Sequence, residues 1–177
     1  MISDEYKALN SKLHKQSEHF GSSAWRCWKE WIVPFVYSWP EQSSILDYGC
    51  GKATVSQNFP GVTNYDPAIE GEFSEDPVPC DLVLCIDVME HVEEEFIDAV
   101  LDHIKSKTIL AAFFVISVRP ACAKLPDGRN AHITLKPQAW WMRKLMYRWQ
   151  NVHVVTEKEN DHFAISCYDN QEEPDAG

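Results

Sequence analysis

The stretch Ile45 to Ala53 reads ILDYGCGKA. Two apolar residues lead into Asp47, and Gly49 and Gly51 follow with one residue between them. In open α/β sheets ligands bind beyond the carboxyl ends of the strands, and glycine lets them approach the main chain with no Cβ in the way. An apolar run ending in an acid and then in bare backbone fits such a place. What is missing and what is charged narrow the ligand. A dinucleotide fingerprint needs a third glycine at position 54, where Thr54 stands. Asp47 would also face the pyrophosphate and repel it. A cationic ligand without phosphate suits the acid better.

Composition sets the frame. The 177 residues, 45% of them hydrophobic, suffice for one domain with a proper core. Sixteen Lys and Arg stand against 27 Asp and Glu, a net charge of −11. So acidic a surface repels polyphosphate, and a nucleic-acid partner is not expected. The longest apolar run, TILAAFFVISV, is too short to span a bilayer, and MISDEYKALN lacks the build of a secretory leader. The expectation is a cytoplasmic protein with no membrane partner. None of the six cysteines is spaced C-x-x-C, so a zinc ribbon has no support and reduced, mostly buried thiols are expected.

Outward from the glycine stretch, strands and helices alternate. Residues 5–35 have helical periodicity, with Trp25, Trp28, Ile32 and Phe35 on one face and Pro34 and Pro40 as terminators. That stripe reads as a lid on a core, so residues 1–40 are assigned to an N-terminal helical lid, 41–168 to an α/β core, and 169–177 to an acidic flexible tail. SILDY, VTNYD, DLVLCI and TILAAFFVISV read as strands. DLVLCI is apolar on both faces, as the centre of a parallel sheet requires. Helices are predicted over 52–59 and 93–104, the latter with Phe96, Ile97, Val100, Leu101 and Ile104 inward and Glu93 to Glu95 at its first turn, where they favour the helix dipole. Pro137 opens another, with Trp141, Leu145 and Trp149 inward and Arg143, Lys144 and Arg148 in water. NVHVVTE and HFAISCY suit a closing hairpin. The fold class is α/β: a doubly wound, mainly parallel twisted sheet with an antiparallel last strand.

A second acid completes the ligand argument. Asp66, in NYDPA, ends the second strand about where an acid accepts both ribose hydroxyls in nucleoside-binding α/β folds. An ionised acceptor gives the stronger, charge-assisted hydrogen bond. S-adenosylmethionine carries a sulfonium, an ammonium and a ribose, and no phosphate. At this point the sequence resembles the class I S-adenosylmethionine-dependent methyltransferases. LDYGCGKA is similar to their first motif, YDP to their second, and DLVLCIDVMEHV to the strand and turn that pass the methionine end of the cofactor. The resemblance covers Ser43 to Val118, and LPDGRNAHITLKPQAWW is similar to a segment of small bacterial and phage members of unassigned substrate. It implies S-adenosylmethionine as cofactor, a Rossmann-like fold, and a cofactor site made by Asp47, Tyr48, Gly49, Cys50, Gly51, Asp66, Pro67, Ile86, Asp87 and Val88. Two departures stand out. Ala53 replaces a third glycine. Only residues 67–80 separate the second strand from DLVLCI, so the third strand is expected to be vestigial, around Gly71 to Ser74, with Phe73 a candidate contact for the adenine.

The remaining constellations concern the acceptor. Asp87, Glu90 and His91 in DVMEH match an acid-x-x-acid-His group that holds a divalent cation in some methyltransferases; such donors suit magnesium, manganese or zinc. The reading preferred here is that Glu90 and His91 cap a helix and pack under the cofactor, with the cation not favoured. His132, in the loop after the fourth strand, is the candidate base, with Arg129 and Asn130 holding a polar or anionic group of the substrate. Glu90 and His91 are the alternatives for that role. His14, His19, His103, His153 and His162 are read as surface or packing residues. The expected activity is methyl transfer to an oxygen or nitrogen of a small molecule. The rivals are a non-catalytic binding module and an enzyme that consumes the cofactor without methylating an acceptor.

Overall fold

The structure is a computed structural model and describes residues 2–69, 71, 73–159 and 161–170. Six strands form one sheet: β1 (Ile45–Tyr48), β2 (Val62–Tyr65), β3 (Cys80–Ile86), β4 (Thr108–Ser117), β5 (Asn151–Lys158) and β6 (His162–Tyr168). Their order is β2-β1-β3-β4-β6-β5. β1 pairs in parallel with β2 and with β3, and β3 with β4; β6 runs antiparallel to both β4 and β5. The chain leaves β1 towards β2 on one side and returns to β3 on the other. The carboxyl ends of β1 and β3 therefore flank a topological switch point, where such sheets bind ligands.

The two faces of the sheet are read off β4. Ala112, Phe114 and Ile116 pack with α3 (Ile97–Lys107) and α4 (Gln138–Met146), through Val100, Leu101, Ile104, Trp141 and Leu145. Ala111, Phe113 and Val115 pack with α2 (Ser23–Tyr37), through Trp28, Ile32 and Phe35. Strand alternation sends successive side chains to opposite layers, and burying each large one contributes about 1.5–3 kcal/mol. A third cluster joins Tyr6 and Leu13 of α1 (Asp4–Gln16) to Leu125 and Ala131 of the loop after β4. That cluster roofs the switch point. Of the region 1–40, α1 lies over the site, whereas α2 is also a layer of the core.

Four elements differ from the sequence expectation. The helix over 5–35 is two helices, separated where Gly21 adopts φ 75°. Pro34 does not end α2, which continues to Tyr37; its ring removes one donor, and the following turn closes through Ser38 N–H to Pro34 O. Residues 52–59 form successive turns instead of a helix. Ala53 sits at φ 54°, and Gln57, Asn58 and Ser56 donate side-chain hydrogen bonds to the carbonyls of Lys52, Thr54 and Ala53. Such bonds compete with helical ones. The helix over 93–104 begins late, at Ile97, because Glu93 is extended and accepts from Ser3 N and Oγ at 2.8 and 2.7 Å. Between β2 and β3 no strand occurs among the described residues, so β2 is the sheet edge. Asp169 and Asn170, read as tail, are tied to Lys105 and Gln150; residues 171–177 lie outside the described residues.

Candidate functional site

A cavity of about 390 Å³ opens at the switch point. Every residue expected to hold the cofactor lines it except Asp47. His91 and His132 line it as well, and Glu90 does not.

The glycine turn is packed from both sides. A Cβ on Gly49 would lie 2.4 Å from Val88 Cγ2, and one on Gly51, at φ 53°, would lie 2.5 Å from the carbonyl oxygen of Gly21. The missing side chains thus let the turn after β3 and the link between α1 and α2 close onto the turn. Lys52 N–H donates to Gly21 O at 2.8 Å, and its ammonium to Ser17 O at 2.7 Å. Gly49 N–H donates to Tyr65 O at 2.7 Å, which locks β1 to β2 at the rim.

Four acids surround this end of the cavity. Asp66 accepts from Gly51 N at 3.1 Å and from Ala68 N at 2.9 Å, one bond to each oxygen. Each oxygen keeps a further lone pair for a hydroxyl donor. Asp47 lies fully buried beneath the turn with Oδ2 unpaired, and burial, with the nearby Asp66 charge, pushes its carboxyl up to about 7. Asp87 adopts φ 54°, a conformation short polar residues tolerate and one that marks functional turns. Its Oδ2 accepts from the indole N–H of Trp28 at 2.7 Å, and Oδ1 lies 3.4 Å from His162 Nε2. Burial would raise the Asp87 carboxyl, but His162 and Trp28 outweigh it and hold it below its ordinary value. Glu90 is a strut: its Oε1 accepts from Ser117 N at 3.0 Å and its carbonyl from Thr134 N at 3.0 Å. Burial and the Asp87 charge push the Glu90 carboxyl well up. The expectation that Glu90 could act on an acceptor is corrected by its position outside the cavity wall.

Two imidazoles, His91 and His132, meet edge to face in the cavity lining. His91 Nδ1 lies 2.8 Å from Ala131 O, and His132 Nδ1 lies 2.7 Å from Arg119 O. A carbonyl only accepts, so both rings carry their proton on Nδ1 and leave Nε2 as the basic atom. Burial and the neighbouring His132 push His91 down to about 3, too weak a base to take a proton. Burial lowers His132 also, against the pull of the Arg119 carbonyl. The loop that carries it is stapled by Asn130, whose Oδ1 accepts from Ala121 N and His132 N, both at 2.9 Å. Arg129 is spent on Asp127 at 2.7 Å. Neither Asn130 nor Arg129 lines the cavity, which corrects their assignment to the substrate. With His91 turned to Ala131, the third donor near Asp87 and Glu90 is His162, the three offering atoms within 4.8 Å of one another. Neither Glu90 nor His91 caps a helix, which corrects that expectation: Glu90 accepts from β4 and His91 bonds the loop carbonyl of Ala131.

No family model matches the chain, and no curated protein matches it. Solved structures do. The chain is similar to DhpI in complex with SAH, at TM-score 0.60 and 12% identity over 93% of this chain and 96% of that one. It is similar to the 1,6-didemethyltoxoflavin-N1-methyltransferase of Burkholderia thailandensis, at TM-score 0.61 and 14% identity over 97% and 92%. A third is a SAM-dependent methyltransferase of Archaeoglobus fulgidus, at TM-score 0.56 and 14% identity over 86% and 100%. The chain has the Rossmann-like methyltransferase fold.

Within that fold, several site residues carry no signal in the sequence. His14, His19 and His162, read as surface or packing, line the cavity, as do Trp28 and Arg119. Trp28 sits at a core spacing of α2, and only the approach of α2 to the end of β3 brings its indole to Asp87. Phe73 does not line the cavity; its carbonyl accepts from Asp66 N at 2.7 Å, and Pro67 and Ala68 supply the wall there. All six cysteines are free, with Cys27 and Cys122 exposed. Among the described residues no helix is long and apolar enough to cross a membrane.

Proposed function

We propose that the protein transfers a methyl group from S-adenosylmethionine to an oxygen or nitrogen of a small molecule. The observation that carries this is one cavity at the switch point of a methyltransferase fold, lined by Asp66, Asp87, a packed glycine turn and a histidine whose Nε2 is free. Asp66 would take the ribose hydroxyls. Asp87 would face the cationic methionine end, flanked by Ile86 and Val88, while Tyr48, Cys50 and Pro67 would wall the nucleoside. Asp47, beneath the turn, adds negative potential when ionised. The thioether is already a good leaving group, so the chain's main tasks are alignment and exclusion of water. His132 Nε2 would take the proton of the acceptor as the new bond forms.

Two solved neighbours in complex with SAH and with 1,6-didemethyltoxoflavin plus S-adenosylhomocysteine support the reading. One observation favours a non-catalytic binding module instead: β2 has no strand beyond it among the described residues, so the nucleoside end is open. The deciding measurement is thermal. S-adenosylhomocysteine (SAH) at a hundredfold its dissociation constant should stabilise the protein by about 2.7 kcal/mol, and NAD should not. A rise with NAD and none with SAH refutes the assignment.

A further inference from the structure

We infer that the methyl acceptor is an uncharged, flat aromatic or heteroaromatic molecule bearing an ionisable O–H or N–H; this rests on the methyl-transfer reading above. Four rings run edge to face along the cavity wall. His14 meets Phe20 at 4.7 Å between centroids, Phe20 meets His91 at 5.4 Å, and His91 meets His132 at 4.6 Å, with interplanar angles of 64°, 89° and 85°. All four line the same cavity, the row starting at His14 beside Gly21 at the glycine turn and ending at His132; Tyr6 lines it too, its hydroxyl turned to Ala131 O. Such a wall offers ring faces and edges, and an aromatic guest gains from both where a saturated one does not.

Charge points the same way. Arg119 pairs with Asp161, Arg129 with Asp127, and the Lys52 ammonium with Ser17 O. Arg26 stands exposed at the rim. Asp66 and Asp87 at the cofactor end repel an anion. Among the described residues the lining holds no Lys or Arg besides paired Arg119 and rim-exposed Arg26, so a carboxylate or phosphate acceptor finds no free cation deeper in. The base sets a further limit. His132 is orientated by the Arg119 carbonyl with Nε2 free, and burial weakens it. A weak base assists only an acidic proton: a phenol ionises near about 10, as tyrosine does, whereas an aliphatic alcohol holds its proton far more tightly. In the step, the acceptor's O–H or N–H proton moves to Nε2 and its lone pair forms the bond to the methyl carbon. The sulfur–methyl bond breaks with its electron pair on sulfur, leaving a neutral thioether, and the imidazolium proton goes to water.

The test uses the full chain saturated with SAH. Saturation is first established by the melting rise described above, so a chain without that rise refutes the methyl-transfer reading and not the acceptor class. Three probes of one size, 2-naphthol, 2-naphthoate and decahydro-2-naphthol, are then titrated by ligand-observed NMR. 2-Naphthol should bind about two- to twelvefold more tightly than either of the others, the range that aromatic contacts supply. Equal or tighter binding of the naphthoate reveals an anion site and overturns the inference. Equal binding of the saturated alcohol, or no binding of any probe at millimolar concentration, overturns it too. In Phe20→Leu, which keeps apolar volume but removes the ring, the ratio of aromatic to saturated affinity should fall towards one. The ratio is internal to one preparation, so partial unfolding does not change it, and an unchanged ratio counts against the ring wall.

Discussion

At the scale of one residue, the proposed base is His132. Its Nδ1–H is fixed on the Arg119 carbonyl and its backbone N–H on Asn130, so ring and loop are held by separate bonds. Replacement by alanine should leave SAH affinity near wild type and lower turnover by about 10²–10⁴-fold, the usual worth of a positioned base. A histidine acting as base must be neutral, and burial holds this one below its ordinary 6.5. The rate should therefore fall only as pH drops below that value. Wild-type turnover in the variant, measured on the identified acceptor, would remove His132 from the mechanism.

Gly51 and Gly21 belong to the scale of the element, because they decide how the link between α1 and α2 sits on the turn after β1. A Cβ on Gly51 would meet the oxygen, Cα and carbonyl carbon of Gly21 at 2.5, 2.8 and 3.0 Å, all of them main chain. Left-handed alanine also costs about 1–2 kcal/mol. Gly51→Ala should lower the melting temperature by several degrees, since about 1 kcal/mol corresponds to roughly 2–4 °C at this chain length. It should also weaken SAH at least tenfold by calorimetry, because Gly51 N–H holds Asp66 and the displaced link lines the cavity. Undiminished SAH affinity would mean that the link does not shape the cofactor end. The short route between β2 and β3 acts at the same scale. Its main chain holds Asp66 through the Phe73 carbonyl.

Across the whole molecule the buried ionisable groups oppose one another. His91, His14 and His132 are all held below 6.5 in the folded state. The unfolded chain therefore binds more protons in the acid range, and stability rises with pH up to about the ordinary histidine value. Asp47 and Glu90 are raised, so the folded state keeps protons that the unfolded chain has lost. Their contribution is fully present below the ordinary carboxylate range and is lost as pH rises through the folded values, about 7 for Asp47. Above 6.5 only the acids still change. The ligand-free protein should show a maximum in melting temperature near pH 6–6.5 by calorimetry, with a decline towards pH 8 that flattens in Asp47→Asn. A melting temperature that keeps rising to pH 8 would contradict the burial of these two carboxyls in neutral form.

The fold class was legible because the pattern is local. Strands buried on both faces have to be apolar throughout, as DLVLCI and AAFFVIS are, and helices buried on one face have to repeat at their own period, as Val100, Leu101 and Ile104 do. The lining of the cavity was legible for a similar reason: Gly49, Gly51, Asp66 and Asp87 sit at or next to strand ends that converge in any sheet of this order. One failure was local and the others were long-range. Residues 52–59 have a helical pattern, yet side-chain bonds to their own carbonyls and a left-handed Ala53 hold them as turns. Glu93 leaves its helix for Ser3, ninety positions away in the chain. Trp28 and His162 reach Asp87 from a helix and a strand whose own patterns speak only of packing. Sequence by itself determined which faces are buried and where the strands end, since burial and bare backbone need particular residue types. Only the tertiary structure decided which histidine offers a free nitrogen and which acid is spoken for, because a tautomer and a carboxylate's partners are set by groups that the chain brings together after it has folded.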